Sequence, residues 1–182
     1  GSSCGSDQTF TTLPPQVTIN TPATNSIDSA ITSNYLQVDS GTPTATTQAS
    51  TNTQIVMTSS SSSLTIPANT TITKQGGGTF NLLNLDTLDI TTTVQDTLPD
   101  AKGALSIGIE GSSLNFNQNV TIDIHTDSQY NNQSFTVYYR PDSNSQWASF
   151  SSCRVENSTC SFLTDHASDY MFGTDIVYDN IV

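Results

Sequence analysis

The sequence predicts an all-β fold, an antiparallel β-sandwich of many short strands, and three observations carry that prediction. Helix-forming material is scarce: 56 of the 182 residues are Ser or Thr, four are Lys or Arg, and the only glutamates are Glu110 and Glu156. Leu, Lys, Glu, Arg and Ala are the strong helix formers. Apolar residues recur with a period of two in segments rich in β-branched side chains, the pattern of half-buried strands. Gly, Pro, Asn and Asp interrupt these segments roughly every ten residues, as in sandwiches and barrels.

Taken in order, residues 1–53 form an extended polar leader without Lys, Arg or Glu, and residues 54–182 form the β-domain. Leu, Ile, Val and Phe supply 8 of the first 53 residues and 32 of the remaining 129, so the apolar material of a core lies after the leader. The leader reads as a linker, with two strand-like pieces inside it, Val17 to Ile19 after Pro14-Pro15, and Tyr35 to Val38. Either piece is suited to add a strand to a sheet, in its own domain or in a neighbouring copy. From Gln54 the predicted strands follow at Gln54 to Thr58, Ser63 to Ile66, Thr70 to Thr73, Leu88 to Val94, Ala104 to Ile109 and Val120 to His125. Five more are predicted at Ser134 to Arg140, Trp147 to Phe150, Arg154-Val155, Cys160 to Leu163 and Tyr170 to Tyr178. Thr is tolerated on their solvated faces while the alternate Ile or Val packs inward. No segment holds helical spacing long enough to predict a helix.

Charge limits the partners. A net charge of −12 with four cations excludes a nucleic acid held by phosphate contacts, because binding there depends on Lys and Arg releasing counterions. An anionic membrane surface is disfavoured for the same reason. No apolar run approaches the length of a membrane-spanning helix, so no membrane insertion is expected.

Cys153 and Cys160 flank Arg-Val-Glu-Asn-Ser-Thr, a strand-turn-strand spacing that favours a disulfide across a hairpin. Such a bond contributes about 2–3 kcal/mol in the chain-entropy picture and implies an oxidising, extracytoplasmic location. Zinc is the competing reading, but His125 and His166 lack the paired spacing of a structural site. Cys4 is then the odd cysteine, open to an intermolecular bond, a lipid attachment or an artefact of the terminus. Four sequons start at Asn69, Asn119, Asn132 and Asn157 and are candidate N-glycosylation sites.

The stretch from Trp147 to Phe172, WASFSSCRVENSTCSFLTDHASDYMF, with Leu64 to Thr70 upstream, resembles the GPCR-autoproteolysis-inducing (GAIN) domain of extracellular surface proteins. The resemblance spans about residues 60–173, and its specific part is that C-terminal stretch. It implies an N-to-O acyl shift in which His166 is the base, Ala167–Ser168 the scissile peptide and Ser168 the nucleophile, helped by strain in the turn. The sequence departs from the family pattern in three ways. Ala167 replaces a bulky apolar residue, the cysteines present make only one of two disulfides, and Asp169 sets a carboxylate beside the reacting centre. The alternative reading is a hydrogen-bonded turn made by Asp165 and His166 between two core strands.

Other constellations are thinner. Asp96, Asp100, Asp165, Asp169, Asp175 and Asp179 are oxygen donors of the kind that hold Ca²⁺ in extracellular modules, without the spacing of a known loop. No other metal or cofactor is expected. Trp147, Tyr138 and Tyr139 suit either a sugar-stacking platform or a core cluster. The run Gln75 to Thr79 lacks the Lys and helix of a phosphate loop, and no nucleophile elbow is present. The composition and the strand-like leader together predict an extracellular structural or adhesive surface protein that self-associates by strand exchange. Self-cleavage at His166/Ser168 and a carbohydrate- or calcium-binding module are the alternatives.

Overall fold

The computed structural model describes residues 16–21, 25–26, 36–38, 44–47, 52–57, 60–75, 86–108 and 113–174, with residues 16–57 and 86–88 as backbone only. Cys4, the glycines after Gln75, Asp175 and Asp179 lie outside the described residues. Fourteen strands account for nearly all of it. They are β1 (Gln16–Thr21), β2 (Asn25–Ser26), β3 (Leu36–Val38), β4 (Thr44–Thr47), β5 (Asn52–Met57), β6 (Ser63–Ile66) and β7 (Thr71–Lys74). After them come β8 (Asp86–Asp89), β9 (Ala101–Gly108), β10 (Leu114–His125), β11 (Ser134–Arg140), β12 (Ala148–Glu156), β13 (Thr159–His166) and β14 (Asp169–Gly173). The strand-like pieces of the leader fall in β1 and β3, and β5 begins two residues before the predicted start of the domain.

The strands follow one hydrogen-bonded path, β1-β5-β6-β10-β13-β12-β11-β14-β9-β8-β2, from which β7, β4 and β3 branch at β10. Among the described residues every pairing along it is antiparallel except β1 with β5, which is parallel. The result is a curled, mostly antiparallel sheet rather like half a barrel. Two places make it curl. Strand β10 pairs with β6 through Thr121 to Asp123 and with β7 through Leu114 to Phe116, and its register against β13 shifts between Asn115 and Val120. Strand β12 pairs with β11 from Ala148 to Arg154 and then with β13 at Val155 and Glu156, so one strand serves both parts of the sheet.

Alternation explains which residues fill the concave side. Val120, Ile122 and Ile124 of β10 are fully buried, and Cys160, Phe162 and Thr164 of β13 join them while Leu163 faces out at 54% exposure. Leu64, Ile66, Ile72, Leu105, Leu114, Val137, Tyr170 and Phe172 complete one cluster. Strand β14 departs from alternation, with Tyr170 through Gly173 all buried, because a second cluster covers its other face. That cluster is Val94, Ala101, Ala104, Tyr138, Trp147 and Met171. A strand covered on both faces reads as a continuous apolar run. Gly103 sits between the layers, where a Cβ would lie 2.7 Å from Phe172 Cε1 and 2.8 Å from Ile124 Cγ2.

The second cluster corrects one expectation. The segment predicted as a strand from Leu88 to Val94 ends as a strand at Asp89, and Thr91–Gln95 forms a short helix, α1. Side chains compete with the ladder here: the Asp89 carboxylate accepts the Thr91 N–H at 2.9 Å, and the Ala104 N–H donates to Thr91 Oγ1 at 2.9 Å. Local bonds of this kind turn Thr-rich strands aside. The helix then lays Val94 over Trp147 and Met171.

The disulfide joins Cys153 and Cys160 with their Cα atoms 5.5 Å apart. Cys160 pairs with Val155 and Ile124, and Cys153 with Phe135, so the bond ties β11 and β12 to β10 and β13 where the sheet bends. The hairpin turn is Asn157-Ser158, both with positive φ (50° and 62°), the backbone of a type I′ turn, which favours Asn in its first place.

Candidate functional site

The short arch from β13 to β14, His166-Ala167-Ser168-Asp169, carries the residues that sequence reasoning singled out. It is also where the chain crosses between the two parts of the sheet. Tyr170 holds the arch from inside. Its hydroxyl donates to the His166 carbonyl at 2.6 Å and lies 2.7 Å from Thr164 Oγ1. A tyrosine just past a crossing, bonded to the backbone a few residues upstream, has the geometry of a tyrosine corner. Burial pushes the Tyr170 phenol well above its usual range, so it stays a neutral donor. Its partners are then permanent parts of the fold.

His166 lies in a ring of aromatics. Tyr139, Phe150 and Tyr170 have centroids 5.2, 5.6 and 5.9 Å from the imidazole, the first two nearly perpendicular to it. Nδ1 is 2.9 Å from Asp165 Oδ1 and 3.3 Å from Thr164 Oγ1. A carboxylate only accepts, so Nδ1 carries the hydrogen of this pair. The hydrogen bond from His166 holds the Asp165 carboxyl below its usual range. Nε2 is buried and is the one buried side-chain polar atom without a partner among the described residues.

His166 and Ser168 thus share the arch, and both line the cleft beneath it, but the bonds seen there are those of a turn. The imidazole is engaged by Asp165 and Thr164, as in the alternative reading of this segment. Ser168 is 5% exposed. Its carbonyl accepts the Ile107 N–H at 3.0 Å, and the Ala167 N–H donates to the Leu114 carbonyl at 2.9 Å. No residue of the arch has a positive φ. Asp169 points to Arg140, 2.9 Å away, with both side chains mostly buried, and the Arg140 guanidinium also stacks on Trp147 at 4.5 Å. The carboxylate expected to oppose a developing oxyanion is thereby neutralised.

The remaining expectations distribute as follows. Asn69, Asn119, Asn132 and Asn157 are all exposed, three of them with positive φ and Asn119 in the irregular stretch of β10. Asp96 and Asp100 are exposed beside α1, and no three His, Cys, Asp or Glu residues gather for a metal ion among the described residues. Trp147 and Tyr138 are core residues at 8% and 6% exposure, which leaves Tyr139 as the accessible member of that aromatic trio. No described helix is long and apolar enough to cross a membrane. Sequence reasoning missed Tyr170 as the clamp and Asn115 as the neighbour of His166 across the ladder. The first had a signal, a tyrosine four residues after a turn histidine, and the second had none.

No protein-family model matches the chain, and neither any curated protein nor any solved structure does.

Proposed function

We propose that the protein is an extracellular structural or adhesive surface protein, a β-sandwich-like domain that assembles by exchanging its N-terminal strand between copies. The observation that carries this reading is the attachment of β1. It ends the sheet path, and its one pairing among the described residues is the parallel ladder to β5. Parallel pairing is slightly weaker per residue than antiparallel pairing, and an edge strand leaves a row of backbone groups ready for another chain. The same six residues have an equivalent β5 to pair with in every other copy, and a head-to-tail exchange of that kind builds an open fibre wherever its rotation does not close a ring. The intramolecular disulfide supports an oxidising location. The four exposed sequon asparagines offer places for glycans on such a surface.

Self-cleavage at Ala167–Ser168 has less in its favour, because the arch is bonded on both sides and its base is turned to Asp165. Denaturing mass spectrometry checks it: an intact chain is expected, and a fragment beginning at Ser168 would reinstate the GAIN-like reading. The strand-exchange proposal is tested by deleting residues 1–21 and following assembly by sedimentation and electron microscopy. The full chain is expected to form oligomers or fibres that the deletion abolishes. Unchanged assembly after the deletion, or a full chain monomeric at every concentration, would overturn it.

A further inference from the structure

We infer that the cleft under the β13–β14 arch is a binding site for a neutral saccharide, with Tyr139, Asn115 and Asp165 as its recognition residues. The inference rests on the adhesive reading for its setting, and on the cleft alone for its chemistry. The cleft has a volume of about 390 Å³, within the range of small-ligand pockets. Its floor is apolar, made by Leu114 and Phe116. Its rim mixes an aromatic ring, the flat ring of Pro141 and the polar ends of Asn115 and Asp165. A sugar presents the same mixture, an apolar ring face edged by hydroxyls.

The parts are held ready. Tyr139 is wedged edge to face between Phe150 at 5.6 Å and His166 at 5.2 Å, so its ring is fixed before a ligand arrives, which lowers the cost of binding. Asp165 is 70% exposed and is kept ionised and oriented by the His166 bond. A carboxylate of that kind accepts two ligand hydroxyls, and the exposed Asn115 amide both donates and accepts. Behind the rim lies Nε2 of His166, a buried ring nitrogen without a partner. Groups of that kind call for an explanation, and a ligand hydroxyl in the cleft that His166 lines supplies one.

Charge narrows the ligand. The cleft contains no Lys or Arg and the chain carries −12, so sialylated, sulfated or phosphorylated sugars are disfavoured. A quaternary ammonium is the competing ligand, since it too pairs with a carboxylate. Such cations are held by a cage of aromatic faces, whereas Tyr139 and Phe116 are the only aromatic carbocycles lining this cleft and Phe116 is part of the floor.

The test is an amide-resolved NMR titration of the full chain with a panel of neutral mono- and disaccharides of glucose, galactose, mannose and N-acetylglucosamine at millimolar concentration. At least one sugar is expected to shift the amides of Asn115, Tyr139 and Ala167. Asn115→Ala and Asp165→Asn, both at exposed positions, are expected to weaken its binding about tenfold, a change read directly in Kd. Tyr139→Ala should abolish binding, with the melting temperature measured to confirm folding. Three results would overturn the assignment: no shift from any sugar, shifts elsewhere on the sheet, or equal shifts from tetramethylammonium. Sedimentation of the same samples separates this proposal from strand exchange, because assembly without sugar binding rejects the site alone, and sugar binding without assembly rejects the exchange alone.

Discussion

The two ends of β13 solve one problem by different means. At its start, beside Thr159, the chain reverses through Asn157-Ser158 and is locked by the Cys153–Cys160 bond. At its finish, beside His166, it crosses to β14 through an arch held by hydrogen bonds from Tyr170 and Thr164. The first end is secured by covalent chemistry whose partners are seven residues apart. The second depends on a buried phenol meeting a carbonyl after the sheet has curled. Local closure survives partial unfolding, whereas the arch exists only in the assembled core.

The largest expected effect breaks the first end. Replacing both cysteines, Cys153→Ala with Cys160→Ala, should cost about 2–3 kcal/mol in urea unfolding. Unchanged stability would mean that the Asn157-Ser158 turn alone holds the hairpin. Next comes the other end, where Tyr170→Phe removes one hydroxyl and leaves the His166 carbonyl with Thr164 Oγ1 as its remaining side-chain donor. A loss of about 1–2 kcal/mol is expected, together with faster hydrogen exchange of the Ile107 and Ala167 amides. If only the global stability changes, the phenol is a packing residue and not a clamp. Asn157→Ala sharpens the contrast further, since a β-carbon residue other than Asn or Gly at φ 50° is disfavoured by about 1 kcal/mol; Asn157→Gly should be close to neutral by the same thermal measurement.

The smallest effect concerns pH at the arch. The Asp165 pKa is lowered in the fold by the His166 hydrogen bond, so the bond's contribution is present above the ordinary carboxylate pKa. It is lost as pH falls through the lowered value. Melting temperature should therefore drop slightly more steeply below about pH 4 in the native chain than in Asp165→Asn. The side chain is largely exposed, so solvent screening keeps the difference small. Identical acid limbs would show that the pair does nothing for the fold.

The contrast between the two ends of β13 also separates what was legible in the sequence from what was not. The disulfide and the all-β class could be read because their signals are local: a cysteine spacing, and a period of two in β10 and β13. The helix at Thr91–Gln95 could not, because Thr91-Thr92-Thr93-Val94 has strand composition, and the Thr91 hydroxyl bonds to Ala104, thirteen residues ahead. The burial of Trp147 and Tyr138 was one of the two readings open to that aromatic trio, and the helix covering the outer face of β14 decides it. At the candidate site the sequence marked His166, Ser168 and the adjacent Asp165, but the aromatic rings around the imidazole and its neighbour across the ladder lie on other strands. Tyr139, Phe150 and Asn115 come from β11, β12 and β10, and only the register brings Tyr139 and Asn115 to one cleft and Phe150 against His166.

The strand order holds a mechanical consequence. Strands β1 and β2 stand at opposite ends of the hydrogen-bonded path, yet Thr21 and Asn25 are joined by three residues. Four steps of extended chain reach at most about 14 Å. The corners of the half-barrel at Thr21 and Asn25 are therefore held within that reach of one another by the chain itself, although they belong to strands at opposite ends of the path. Tension applied at the N-terminus would load the β1–β5 ladder first and that three-residue link next, before any force reached the disulfide-bound strands β12 and β13.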